Sequence, residues 1–215
     1  MKIKWLGHAC FLVTSQSGLR ILTDPYHEGD GLAYGPIKET ADIVLVSHDH
    51  FDHNNINAVR GSPLVVREPG KREARGINLE GFAAWHDASG GRKRGPVVIF
   101  VFAVDGLRLC HLGDLGHDLD LTQAGKLGKV DILFAPVGGV YTIDSMGVDR
   151  LCRLIKPGFV IPMHYKTPKV TMPVATADYF LKGKTLAACQ GVSEIEVTRE
   201  NLPAALQVVL LQPAN

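Results

Sequence analysis

A chain of 215 residues is long enough to bury one substantial core, and its 46% apolar and 21% charged residues exclude a disordered chain. The formal net charge of +1 leaves no global field to hold nucleic acid or an anionic membrane, and no apolar run is long enough to span a bilayer. Residues 1–8 lack a signal-peptide core, and four scattered cysteines (Cys10, Cys110, Cys152 and Cys189) with no CxxC pair point to reduced, buried thiols in a cytoplasmic protein.

Residues 9–13 and 19–22 flank Ser15-Gln16-Ser17-Gly18 and read as a β-hairpin. The apolar run 43–46 reads as a strand covered on both faces, and a helix is expected over 54–59. Residues 67–76 are charged and assign to no element. Residues 97–104 and 107–112 flank Asp105-Gly106, the strongest hairpin signal in the chain. A helix at 119–127 precedes a strand at 132–135. The next helix, 145–155, takes Ser145 as its N-cap and ends at Lys156-Pro157-Gly158. A strand at 159–161 and a helix at 176–181 follow. No Pro/Gly/Ser-rich linker divides the chain, so a single domain over residues 1–215 is expected. Residues 11–24 and 99–114 resemble each other: each hairpin's second strand begins Gly-Leu-Arg and ends in Asp, and an Asp-started apolar strand follows. Chance likeness between hairpins explains this as well as two similar halves do. Two halves related by a pseudo-two-fold would form two facing sheets with helices outside.

The densest chemistry is His48-Asp49-His50-Phe51-Asp52-His53, directly after the 43–46 run. Imidazole is the commonest metal-ligating side chain, and Asp oxygens complete mixed sites. His48 and His50 are two apart and share a face in extended chain, so both reach one ion. Asp52 and His53 turn away from that pair and suit a second. These four cannot close two sites. The remaining candidates are His8, Asp24, His27, His86, His111, Asp114, His117 and His164. His86, Asp114 and His164 end apolar runs, as His48 does, and strand ends are rigid places to present chemistry. His111 and Asp114 fall on opposite faces of a regular strand, so only one should face the metals. An ionised Asp can bridge two cations, which favours Asp114. His8 reads equally as a core histidine or a substrate contact; His27 and His117 read as solvated. Tyr165 and Lys166 adjoin His164, and Tyr141 and Thr142 follow Gly138-Gly139; these line a pocket or simply form a turn. Lys71, Arg72 and Arg75 read as solvated charge. Arg92-Lys93-Arg94, in a Gly-rich loop after His86, either does the same or folds over the site onto a phosphate or carboxylate.

These residues resemble a known family. SHDHFDH at 47–53 matches the HxHxDH signature of the metallo-β-lactamase superfamily. TDP at 23–25, HLGD at 111–114 and IPMHY at 161–165 fit its other motifs in order. WLGHACFLV and APVGGVYTID resemble its metal-dependent hydrolases related to the ascorbate-6-phosphate lactonase type. The resemblance runs from about Trp5 to Lys166, and the chain after Thr167 carries no motif. It implies an α/β (α+β) fold, an αββα sandwich of two mixed β-sheets flanked by helices, with a dinuclear site at one edge. It assigns His48, His50 and His86 to one ion, Asp52, His53 and His164 to the other, and Asp114 as the bridge. Asp24 becomes a carboxylate behind the ligands that orients them. Two divalent cations, for which zinc suits the donor set and manganese, iron or nickel also fit, would lower the pKa of water between them. Asp52, beside that water, would accept a proton. The function so implied is hydrolysis of a small anionic ester, lactone or phosphodiester. A nuclease or RNA-processing phosphodiesterase on the same ions is the alternative; the near-zero net charge and lack of a nucleic-acid-binding segment count against it. A non-catalytic metal-binding regulatory module is a second alternative, opposed by the full ligand set. The expected partner is a small-molecule substrate, not a membrane, and a homo-oligomer stays open.

Overall fold

In a computed structural model that describes residues 1–187 and 191–215, two β-sheets face each other. In chain order the strands are β1 (Lys2–Gly7), β2 (Cys10–Thr14), β3 (Arg20–Thr23), β4 (Ile43–Leu45), β5 (Leu64–Val66), β6 (Gly70–Ala74) and β7 (Ile77–Trp85). They continue with β8 (Pro96–Val104), β9 (Leu107–His111), β10 (Ile132–Pro136), β11 (Phe159–Met163), β12 (Glu194–Glu196) and β13 (Gln207–Val208). The helices are α1 (Leu121–Leu127), α2 (Ser145–Ile155) and α3 (Asp178–Leu181). One sheet runs β12-β1-β2-β3-β4-β5 and the other β13-β11-β10-β9-β8-β7-β6.

Alternation of apolar side chains builds the sandwich. Ile3, Trp5, Phe11, Val13, Ile21, Ile43 and Leu45 join the second sheet in one core, while the residues between them (Cys10, Leu12, Leu22, Val44 and Val46) belong to a separate cluster outside the first sheet. That outer cluster is covered by Tyr26, Leu32, Tyr34, Ile37, Val59, Val170 and Val174, from chain without α-helix. The expected sandwich is present, but its helical layer lies over the second sheet, where α2 packs on β10 and against α1 and α3. The helix expected over 54–59 is only a 3-10 turn at Ile56–Ala58. The Asn54 and Asn55 amides there donate to Asp49 and to the Tyr26 carbonyl, local bonds that compete with a helix.

The internal repeat is structural. In each half two antiparallel pairings (β1–β2–β3; β7–β8–β9) are followed by two parallel ones (β3–β4–β5; β9–β10–β11). The repeated Arg and Asp do the same work twice: Asp42 Oδ2 accepts the Arg20 N–H at 2.8 Å, and Asp131 Oδ2 accepts the Arg108 N–H at 2.8 Å. Each carboxylate closes the first rung of a parallel strand pair. Asp131 is 4% exposed, so Asp131→Ala strands the Arg108 N–H and is expected to cost about 1–3 kcal/mol. The half-exposed Asp42→Ala is expected to cost about 0.5 kcal/mol. Urea unfolding of the two variants side by side checks the order; equal losses would refute it.

The remaining differences are local. Asp144, not Ser145, caps α2, its carboxylate accepting the Gly147 N–H. Val148, Leu151 and Cys152 form the buried stripe of α2, and Lys156 ends it in the left-handed region. Asp120 caps α1 in a reciprocal capping box with Gln123, so α1 starts at Leu121, and α3 is shorter than the segment expected. The charged stretch 67–76 becomes β6, an edge strand whose side chains are mostly exposed. Cys10, Cys110 and Cys152 are free and buried, as expected; Cys189 lies outside the described residues. Among the described residues no helix is long and apolar enough to cross a membrane.

Candidate metal centre

Loops leaving one end of the two sheets meet in a single cluster. Residues 47–53 follow β4, His86 follows β7, Asp114 follows β9, His164 follows β11, and His8 sits in the bulged turn between β1 and β2. Three residues of this region hold positive φ without being glycine: His8 (52°), Asp24 (38°) and His164 (51°). Such conformations cost about 1 kcal/mol or more and are held by the surrounding packing. Two glycines make the approach possible. A Cβ on Gly116 would lie 2.2 Å from the His86 carbonyl carbon, and one on Gly138 2.3 Å from the His164 carbonyl oxygen.

The Asp114 carboxylate is the hub. Its Oδ2 lies 3.1 Å from His164 Nε2, 3.3 Å from His86 Nε2 and 3.9 Å from His48 Nε2; its Oδ1 lies 3.3 Å from His53 Nε2. The donor atoms sort into three overlapping groups, each spanning at most 4.8 Å: His48, His50 and His86; His8, Asp52, His53 and His164; His48, His53 and Asp114. His50 is half-buried and opens onto a cleft of about 550 Å³, also lined by Phe51, Asp52, His86, Arg94 and Tyr141.

Behind the cluster, Asp24 is fully buried and accepts the Ser47 N–H at 2.7 Å, the Ser47 Oγ–H at 2.7 Å and the His53 Nδ1–H at 2.9 Å. Burial works against its charge, but His53, His111 and His48 outweigh it and hold the carboxyl below its ordinary value. The consequences reach two imidazoles. His53 gives its Nδ1 proton to Asp24, so Nε2 carries the lone pair that faces the hub. Ser47 spends its proton on Asp24, so its oxygen accepts from His48 Nδ1 at 2.9 Å and leaves the lone pair on His48 Nε2, which faces the cluster with His50 Nδ1 at 3.0 Å. One buried carboxylate thus sets both tautomers.

The cluster fits a cation. Burial, with His53 alongside, lowers the His48 pKa to about 3, so that ring is neutral. Burial opposes ionisation of Asp114, but His164 and His53 hold it well below the carboxylate range. His53 Nε2 and Asp114 Oδ1 are buried, 3.3 Å apart and, among the described residues, without hydrogen-bond partners. With Nδ1–H committed to Asp24, these are two electron-pair donors facing each other, and something positive must lie between them. Without a metal it is a proton: burial opposes it, but Asp114, Asp52 and Asp24 raise His53 well above the ordinary histidine value. A bound metal ion would take that proton's place.

Comparison with known proteins gives the family. The sequence pattern of the Beta-lactamase superfamily domain matches residues 2–164. The chain belongs to the metallo-β-lactamase superfamily. A UPF0173 metal-dependent hydrolase of Carboxydothermus hydrogenoformans is 36% identical over 207 residues, covering 83% of this chain and 88% of that protein. Another, of Archaeoglobus fulgidus, is 32% identical over 196 residues, 78% of this chain and 84% of its own. A crystal structure from Thermotoga maritima, described as a Zn-dependent hydrolase of the metallo-β-lactamase superfamily, superimposes with TM-score 0.79 at 32% identity, covering 98% and 97% of the two chains. The protein is a metal-dependent hydrolase of this superfamily.

In this metallo-β-lactamase superfamily member the cluster contains all seven residues assigned to metal by resemblance, and adds His8. Burial and the neighbouring His164 lower the His8 pKa to about 4, so the ring is neutral and its Nε2–H donates to Asp52 Oδ2 at 3.1 Å. Burial opposes ionisation of Asp52, but His53 and His8 keep it ionised. The sequence signal for His8 was a Gly-His step between two strands, which alone does not say where the ring goes. His111 stays behind the cluster: Nδ1 accepts the Gly113 N–H at 3.1 Å, so Nε2–H donates to the Ala9 carbonyl at 3.0 Å. It braces the turn that carries Asp114. Its counterpart in the first half, Thr23, donates its hydroxyl to the same carbonyl at 3.0 Å. Tyr165 does not line the cleft; it is buried with its ring stacked on Trp5, 5.4 Å between centroids. His27 is exposed and His117 half-buried, and neither belongs to a donor group. Tyr141 lines the cleft.

Proposed function

We propose that this hydrolase holds two divalent cations, zinc being the best match to the donor set, and cleaves a small anionic ester, lactone or phosphodiester. The observation that carries the reading is the position of Asp114, whose two oxygens lie within 3.9 Å of imidazole nitrogens from both sides of the cluster. His48, His50 and His86 would hold one ion, Asp52, His53 and His164 the other, and Asp114 both. Bound metal of this kind acidifies water and polarises the carbonyl or phosphoryl group to be attacked. Asp52 lines the cleft as an ionised carboxylate, steadied by His8, and is placed to accept a proton from the attacking water. Phe51, Tyr141 and Met172 give the cleft an apolar wall, and its size of about 550 Å³ suits a small molecule.

Metal content of protein purified without added metal should approach two ions per chain. A panel of lactones, bis-aryl phosphodiesters and single-stranded RNA, with and without chelator, tests the chemistry. RNA cleavage without small-ester cleavage would replace this reading with a nuclease. Two bound ions and no turnover of any class would leave a non-catalytic metal module.

Chelation is expected to stop turnover and destabilise the fold. An ion held at about a thousand times its Kd stabilises by about 4 kcal/mol, which for a chain of this size is roughly 8–16 °C in Tm. The metal-free protein should also acquire a pH dependence. His53 is raised above the ordinary histidine value of 6.5 in the folded state, so its contribution is complete below about pH 6.5 and fades as pH rises through the folded pKa. Metal binding runs the other way and tightens with rising pH, because it displaces that proton. Thermal melts with and without chelator across this range check both slopes; parallel slopes would refute the exchange.

A further inference from the structure

The loop between His86 and β8 is organised around one buried side chain. The Asp87 carboxylate accepts the N–H groups of Ser89 (2.7 Å), Gly91 (3.1 Å), Lys93 (2.9 Å) and Arg94 (2.9 Å), and also the Ser89 hydroxyl. Gly91 lies so close to the Trp85 ring that a Cβ would come within 2.5 Å of it. The backbone of Arg94 is therefore fixed, and its side chain runs to Tyr141, with the guanidinium carbon 5.2 Å from the ring centroid. Arg92 spends its Nε–H on the Ser89 carbonyl. The half-buried Arg94 guanidinium differs: among the described residues it makes no ion pair and no hydrogen bond. The only acid in its loop, Asp87, has committed its oxygens to backbone and hydroxyl donors. Arg94 lines the cleft with His86, Asp114 and His164, and also an adjoining cavity of about 490 Å³ that shares Asp49 and His50.

A half-buried arginine with free N–H donors, held over an aromatic face, is pre-organised for a forked oxyanion. We propose that Arg94 is the specificity-determining residue of this centre, receiving a carboxylate or phosphate that the substrate carries beside the bond to be cut, with Tyr141 as its platform and Asp87 as the positioning residue. This rests on the reading of the centre as a small-molecule hydrolase and names the group that the substrate must bear.

The test pairs 4-nitrophenyl hydrogen succinate with the neutral 4-nitrophenyl pentanoate. The wild type is expected to favour the charged ester in kcat/KM by about tenfold or more. Arg94→Gln should erase that preference, lowering kcat/KM for the charged ester about tenfold more than for the neutral one, through KM. Arg94→Lys, a point charge without the fork, should restore only part of it. An equal fall on both esters, or no preference in the wild type, overturns the proposal. Calorimetric titration of the zinc-loaded protein with succinate and with inorganic phosphate decides independently of turnover. Weakening of one anion by about tenfold in Arg94→Gln supports the proposal and says which oxyanion is read; unchanged affinity for both overturns it. If neither ester is cut while the anion affinity still depends on Arg94, the hydrolase reading fails for esters and the anion site stands.

Discussion

Replacing Asp114 by alanine is expected to abolish paired-metal binding and to lower hydrolysis by about a thousandfold or more. The loss of a carboxylate that only orients a ligand costs about 10–100-fold in metal affinity, and Asp114 stands inside the cluster rather than behind it. Among the described residues it is the only carboxylate within 3.9 Å of His86, His164 and His48, and it shares His53 with Asp52 and Asp24. Without it, only Asp52, at one side of the cluster, is left among four imidazoles to offset two dications. Metal analysis should find at most one ion per chain. Asp114→Asn, which keeps the shape and removes the charge, should behave nearly as badly, because the deficit is one of charge. A variant that keeps two ions and full turnover would show that Asp114 does not bridge.

The sequence carried what is local and periodic. The 43–46 run, the Asp105-Gly106 hairpin and the contiguous His48–His53 motif each declare themselves within a few residues. The repeat was legible as Gly-Leu-Arg followed by an Asp-started strand, and its physical basis is the pair of carboxylates on the Arg20 and Arg108 N–H groups. What was not legible depends on partners far apart in the chain. β6 is an edge strand whose exposed Lys71 and Glu73 hide its period, and only its pairing with β7 makes it a strand. Asp144 and Ser145 are adjacent cap-type residues, and only the hydrogen bond to Gly147 chooses between them. The parity of a regular strand would separate His111 from Asp114, but β9 ends at His111 and Gly113 turns at φ 53°. Parity could not show that His111, through the Gly113 N–H, braces the turn that delivers Asp114. His8 stayed ambiguous because its partner, Asp52, is 44 residues away. Arg94 was one cation in a basic run until its place over Tyr141, in the lining of the cleft, separated it from the exposed Arg92 and Lys93.

Asp24→Asn is the second substitution expected to have a large effect, although residue 24 touches neither the cleft nor the Asp114 hub. The carboxylate accepts three hydrogen bonds, one at Oδ1 from the Ser47 N–H and two at Oδ2 from Ser47 Oγ and His53 Nδ1. An amide has one acceptor and one donor end, so either orientation sets two donors against each other. With the NH2 toward the Ser47 backbone, a buried N–H is left unpaired, at about 1–3 kcal/mol. With the NH2 toward His53, the ring must turn Nδ1 into an acceptor and move its proton to Nε2, the atom that faces Asp114. A protonated Nε2 cannot ligate. Ser47 Oγ loses its acceptor as well, and with it the bond that keeps the His48 proton on Nδ1. The second orientation strikes two proposed ligands, one from each ion, while the first leaves both tautomers in place and strains the strand end that carries them. Metal affinity should fall by about 10–100-fold, and turnover at fixed metal should fall further, since the same exchange in a catalytic triad costs about 10⁴ through the wrong tautomer. Nitrogen-15 spectra of the histidine rings separate this from plain destabilisation: in the metal-free variant at high pH, the His53 proton should appear on Nε2 instead of Nδ1, or the Ser47 amide should lose its hydrogen-exchange protection. Unchanged tautomers with an unchanged Ser47 amide would mean that Asp24 acts only through packing.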